Sequence, residues 1–207
     1  MKLLAMVGSQ RKSGNSYLLA KETLKSTKAD YKIIQLAEKK IEFCDLCGKC
    51  ETGDCVLNDD FNQILKKMKE ADGIIFSFPK YFSLSSKFLC FLERLVMIHH
   101  CKEYHGLRKI GVEPDPNVSP LFKGKPCCLF VVSASGKGGE EPLKIAAHEV
   151  ERMGMKLILH DSQPFLGVAV KGEDKGEVLK DKKGIEDCRR MIRKLIDSII
   201  SNSEELL

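Results

Sequence analysis

Tryptophan is absent from this 207-residue chain, tyrosine occurs four times, and no basic run is interleaved with aromatic residues. A nucleic-acid interface needs stacking side chains beside a cationic stripe, so that class of partner is not expected. No apolar stretch approaches the roughly 20 residues that cross a bilayer. The apolar start MKLLAMVG passes straight into a polar loop without a small-residue cleavage site, so no secretory leader is read. A soluble, cytoplasmic protein is the expectation. The Walker spacing and G-x-G-x-x-G are also missing, and no acidic residue stands where a ribose would need it, which argues against a dinucleotide fold.

What is present is ordinary globular composition, 43% hydrophobic and 30% charged. The length suits a single α/β domain over residues 1–207. The net charge of +5 comes from scattered lysines and would suit an acidic protein partner. Nine cysteines in a reducing compartment point to metal ligands and buried thiols rather than disulfides.

The most specific stretch is FCDLCGKCETGDC, which spaces Cys44, Cys47, Cys50 and Cys55 as C-x2-C-x2-C-x4-C. Thiolates select zinc, copper(I) or iron-sulfur clusters. Three in tight succession with a fourth close behind suit a 4Fe-4S cube, which takes one Cys per iron. A four-Cys zinc knot and a loop without metal stay open. Gly48 and Gly53 lie between the ligands, where a chain folding round a metal needs positive φ.

Elsewhere the pattern alternates strand and helix. Residues 2–7, 31–36, 73–78, 126–133 and 156–160 read as strands. Residues 16 onward, 61–68 behind Asn58, Asp59 and Asp60, 84–100, 142–153 and 185–199 read as helices. The paired aspartates read as helix openers. The continuous runs GIIFSF and PCCLFVVS are those of strands buried on both faces of a parallel sheet, which sends the neighbours Cys127 and Cys128 to opposite faces. Residues 106–125 read as an excursion within the domain, and the terminal SNSEELL reads as a frayed tail or an oligomer contact.

Three loops fall at the carboxyl ends of strands, where open α/β sheets bind ligands. The first, SQRKSGNS, turns from a strand into a helix and so offers free N–H groups to an anion. Ser9, Ser13, Asn15 and Ser16 add polar donors and Arg11 adds a charge suited to phosphate. Taken alone it also reads as a helix start capped by Asn15 or Ser16. The second loop carries Pro79, Tyr81, Phe82 and Ser83. The third, SASGKGGEE, is small and glycine-rich, so backbone can approach a flat ligand closely.

GSQRKSGNS resembles the phosphate loop of the flavodoxin-like NADPH-dependent FMN reductases, usually G-S-x-R-x-x-G-N-S. With the cysteine run, the chain resembles the iron-sulfur flavoprotein branch of that family over roughly residues 1–165. The family's Lys-x-x-x-Asp-Arg pattern is altered here to Leu89, Glu93 and Arg94. The resemblance implies a flavodoxin-like, doubly wound, five-stranded parallel sheet of order 2-1-3-4-5, with the cysteine loop inserted at 41–57. It implies FMN with its phosphate on Ser9, Arg11, Ser13, Asn15 and Ser16. The ring would lie against Pro79, Tyr81, Phe82, Ser83 and the third loop, with Ser133, Ala134, Ser135, Gly136, Gly138 and Gly139. It further implies a 4Fe-4S cluster on the four cysteines, a ferredoxin-like donor, a small-molecule acceptor such as a quinone or oxygen species, and a homodimer or homotetramer. No acid-base catalytic residue is expected. Two other readings stay open: an NAD(P)H-dependent flavin or quinone reductase whose cysteine loop binds zinc or is structural, and a non-enzymatic electron carrier or interaction module.

Overall fold

A computed structural model describes residues 1–107, 111–161 and 166–204. Parts of the 106–125 excursion and the last three residues of the expected frayed tail lie outside the described residues. The chain runs β1 (Lys2–Val7), α1 (Asn15–Leu24), β2 (Asp30–Gln35), α2 (Phe61–Glu70), β3 (Gly73–Pro79), α3 (Ser86–Glu103), β4 (Pro126–Ser133), α4 (Glu140–Arg152), β5 (Lys156–Leu157), β6 (Val168–Lys171) and α5 (Lys182–Glu204). All strand pairs are parallel, in the order β2-β1-β3-β4-β5, with β6 also paired to β4.

The expected five strands become six. β5 stops after Leu157, which pairs with Cys127, and β6 resumes the same edge with Val168 opposite Phe130. The fifth position is thus filled by two short strands, rather than the continuous 156–160 strand read from sequence.

Alternation along β1 and β4 sorts the core into two layers. Leu4, Met6, Cys127, Leu129 and Val131 pack with α2, α3 and α4 on one face, while Leu3, Ala5, Val7, Cys128, Phe130 and Val132 pack with α1 and α5 on the other. That explains why both strands read as unbroken apolar runs. Cys127 and Cys128 lie in different layers, as expected, and burial raises both thiols.

Helix starts differ from the sequence reading. α1 begins at Asn15 with Gly14 as its N-cap and so has no side-chain cap; the Asn15 side chain is engaged elsewhere. At α2, Asp60 is the N-cap residue without a side-chain cap bond; its carboxylate accepts from Lys40 N at 2.8 Å instead. Asp59 accepts from Phe61 N at 3.0 Å, but most of its hydrogen bonding goes elsewhere, as shown below.

Candidate functional site

The first loop is shaped by its own backbone. Ser9 Oγ accepts from Arg11 N at 3.0 Å, and Ser13, at φ 51°, donates its N–H to Gln35 Oε1 at 2.7 Å. Gly14 then enters α1 in an extended conformation. With no side chain on the first-turn N–H groups, the positive end of the helix opens onto a cleft. This cleft, of about 300 Å³, is lined by Ser9, Arg11, Asn15 and Ser16 of the first loop, Pro79 and Tyr81 of the second, and Ala134 of the third. A second hollow of about 380 Å³ lies at the far end of the sheet, around Lys2, Leu4 and Asp30. That end holds the strand N-termini, away from the loops that bind ligands in such sheets.

The remaining candidates surround the cleft without lining it. Ser13 has its N–H committed to Gln35. Phe82 stands 98% exposed at the tip of the second loop. The hydroxyls of Ser83 and Ser133 are buried without a hydrogen-bond partner. Gly136 and Gly138 adopt φ 71° and 69°, and a Cβ on Gly138 would stand 2.4 Å from Lys80 Nζ. Gly139 is packed so closely on Val131 and Ala169 that a Cβ would lie 2.7 Å and 2.9 Å from their side chains. Ser135 folds back on its own loop, accepting from Lys137 N at 3.2 Å.

A fourth wall was not foreseen. Gly172, Glu173 and Lys175, from the segment after β6, line the cleft with Lys12 and Lys80. Asn15 holds this wall: Nδ2 donates to Asp174 O at 2.8 Å and Oδ1 accepts from Gly176 N at 2.7 Å. Hydrogen bonds from the Asp174 and Glu173 N–H groups keep the Glu177 carboxyl below its ordinary value and close the turn. The signal was available in VAVK between Gly167 and Gly172, a short β-branched run bounded by glycines. Arg11, Lys12, Lys80 and Lys175 against Glu173 give the cleft a net positive lining suited to a phosphate dianion.

Beside α3, Cys44, Cys47, Cys50 and Cys55 line one small pocket together with Arg94, Met97, Ile98 and Cys101. Left-handed turns at Leu46, Gly48 and Gly53 fold the loop around it. Asn62 of α2 clamps its end, accepting from Cys55 N at 2.9 Å and donating to Cys55 O at 2.7 Å. Burial raises the Cys44 thiol, and burial together with the neighbouring Cys101 pushes Cys50 up to about 12. Among the described residues, no three His, Cys, Asp or Glu side chains close on a single ion position.

Arg94, 1% exposed, stands in that pocket wall. Its guanidinium grips the fully buried Asp59 carboxylate with both terminal nitrogens and donates to Glu42 O at 3.2 Å. Its flat face lies 4.2 Å from the Phe61 ring centre. Burial works against the Arg94 cation, but interaction with Asp59 and Cys55 raises it above its usual value. Asp59 also accepts from Glu42 N at 2.8 Å. It is thus chiefly the counter-ion of Arg94, a role that reading it as a helix opener missed.

The family model for NADPH-dependent FMN reductase matches residues 1–162. The chain belongs to that family. An iron-sulfur flavoprotein of Methanocaldococcus jannaschii is 30% identical, the match covering 96% of this chain and 97% of the relative. Another, of Methanosarcina thermophila, is 24% identical over 95% of this chain and 94% of the relative. These relatives place the chain in the iron-sulfur flavoprotein branch. A flavodoxin from the domain Archaea shares the fold at TM-score 0.53 and 18% identity, over 96% of this chain and 99% of that one. As a member of the FMN reductase family the chain is an FMN-dependent oxidoreductase. Among the described residues, no helix is long and apolar enough to cross a membrane.

Proposed function

We propose that this FMN reductase family member carries electrons from a one-electron donor through a 4Fe-4S cluster to FMN and on to a small-molecule acceptor. The observation that carries the reading is the gathering of four thiols on one pocket in a chain that also builds the three-loop flavin cleft. A pocket ringed by thiols suits a multi-iron group, which takes one Cys per iron, better than a single tetrahedral zinc. When bound, the cluster would supply one-electron and the flavin two-electron redox chemistry.

The chain's own residues would bind and orient. Arg11, Lys12 and the open end of α1 would hold the phosphate, with Ser9 and Ser16 at the base of the loop. Tyr81, Pro79 and Ala134 would bound the ring. The first turn of α1, open to a cleft lined by Arg11, Lys12, Lys80 and Lys175, supports the fit, because a phosphate would satisfy both its N–H groups and that charge. Phe82, with Phe43, Leu46 and Val56 on the cysteine loop, leaves large apolar side chains exposed. Such surface favours a homodimer or homotetramer. The scattered lysines suit an acidic donor of the ferredoxin type, and a cytoplasmic setting would keep the thiols reduced.

The test is rapid anaerobic mixing with either reduced ferredoxin or NADPH. The reading expects ferredoxin to bleach the flavin quickly in the wild type and slowly in Cys47→Ala, which should still bind FMN. Fast bleaching by NADPH with equal rates in both proteins would favour a pyridine-nucleotide reductase with a structural loop.

A further inference from the structure

A buried ion pair is an expensive way to fill space. Removing two charges from water costs several kcal/mol per ion, and apolar residues of similar volume often serve stability as well or better. The Arg94–Asp59 pair is almost completely buried, at 1% and 0% side-chain exposure. It is also held with unusual care. Asp59 receives the Glu42 and Phe61 N–H groups at 2.8 and 3.0 Å, and Arg94 is fixed by Glu42 O and the face of Phe61. These contacts satisfy Asp59 and the two terminal nitrogens of Arg94. They leave Arg94 Nε buried without a hydrogen-bond partner of good geometry, on a residue that lines the same pocket as the four cysteines and interacts with the Cys55 thiol. An orphaned donor in a rigidly held cation is costly unless an acceptor arrives.

We propose that Arg94 is a positioning residue of the cysteine site, its Nε–H meant for a sulfur of the bound cluster and its charge favouring the cluster's reduced state. The inference rests on the cluster reading above. Four thiolates around an iron-sulfur cube carry net negative charge, and one further electron from an external donor makes it more negative. A fixed donor and cation beside sulfur stabilises the electron-rich form, one of the means by which proteins set cluster potentials. Asp59 acts in the opposite sense. It aims the guanidinium and offsets its charge, so the two residues should move the potential in opposite directions.

The experiment is an anaerobic redox titration of the holoprotein's cluster, followed by electron paramagnetic resonance, in the wild type and three variants. The double variant R94Q/D59N removes donor and counter-ion together, leaving no stranded buried charge. Its reduction equilibrium should fall about tenfold, the scale of one charge-assisted hydrogen bond, which is 59 mV for a one-electron couple. R94K, which keeps the charge but loses the fork and Nε, should shift the same way by less. D59N, which leaves an uncompensated cation, should shift the equilibrium several-fold toward the reduced form.

Iron and sulfide content is read first for each protein. Loaded variants whose potentials match the wild type, or all move in one direction, would make the pair merely structural and overturn the proposal. If R94Q/D59N cannot hold a cluster, D59N and R94K decide alone. A potential in D59N that is unchanged or lowered would overturn the proposal equally. A wild type that holds no cluster after anaerobic reconstitution would remove the cluster reading and this inference with it. A loaded wild type with unmoved potentials in the variants would remove the inference only.

Discussion

Asn15, the first residue of α1, is tied to Gly176 by a hydrogen bond of 2.7 Å across 161 positions of sequence. Its other amide atom donates to Asp174 O, so one side chain joins the end of the first loop to the wall that follows β6. That wall closes the cleft beside Arg11 and Lys80.

Asn15→Ala should therefore weaken FMN binding without unfolding the protein. Two hydrogen bonds of about 1 kcal/mol each are lost, and even half of that reaching the ligand would raise Kd roughly fivefold. Fluorescence titration of apoprotein with FMN measures it. An unchanged Kd would show that the wall holds its place without the amide.

Gly8, at the carboxyl end of β1, tolerates no side chain. A Cβ there would stand 2.6 Å from Phe88 Cγ, and Phe88 is fully buried and stacked on Phe78 at 4.8 Å. Gly8→Ala should cost about 1–3 kcal/mol through overpacking, read as a lowered midpoint in urea unfolding. A midpoint equal to the wild type's would mean that Phe88 can yield.

Much of this was legible beforehand, for identifiable reasons. The strands GIIFSF and PCCLFVVS were readable because burial on both faces leaves no polar gaps. The cysteine spacing was readable because ligands on one loop are close in sequence. The three loops could be placed because strand ends and glycines are local signals. What sequence hid was pairing at a distance. Nothing in VAVK states that it resumes the edge begun by Lys156 and Leu157, and nothing around Asp59 names Arg94, 35 positions away, as its partner. Asn15 looked like a cap because Asn commonly is one; only the folded chain brings Asp174 and Gly176 to it.

Asp59 gives the acid limb of stability. Burial alone would raise its carboxyl, but hydrogen bonds from Arg94, Glu42 N and Phe61 N outweigh burial and hold it below the ordinary value. The unfolded chain then binds the proton more tightly, so stability rises with pH across this window. The contribution is complete above the unfolded carboxylate range, near pH 4, and disappears as pH falls through the lower folded value. The stability difference between wild type and D59N should be flat from about pH 5 to 7 and shrink below about pH 4. Urea titrations at each pH check this, and a difference independent of pH would contradict it.

Lys125 precedes β4 and extends its half-buried ammonium to the end of α2, where it donates to Met68 O at 3.0 Å, Lys69 O at 2.9 Å and Ala71 O. A cation on the last carbonyls of a helix complements its dipole. Lys125→Met keeps the stem and removes the charge, and should cost about 1–2 kcal/mol. Differential scanning calorimetry should show Tm lowered by several degrees, while FMN binding at the opposite end of the sheet stays as it was.

The central claim is that one chain holds both a multi-iron group on Cys44, Cys47, Cys50 and Cys55 and FMN in the cleft of Arg11 and Tyr81. Iron, sulfide, zinc and FMN content of protein purified without oxygen tests it most directly. The account predicts about four irons and four sulfides with one FMN per chain, the iron and sulfide lost in Cys47→Ala while FMN remains. One zinc or no metal beside FMN, persisting after anaerobic reconstitution with iron and sulfide, would contradict it.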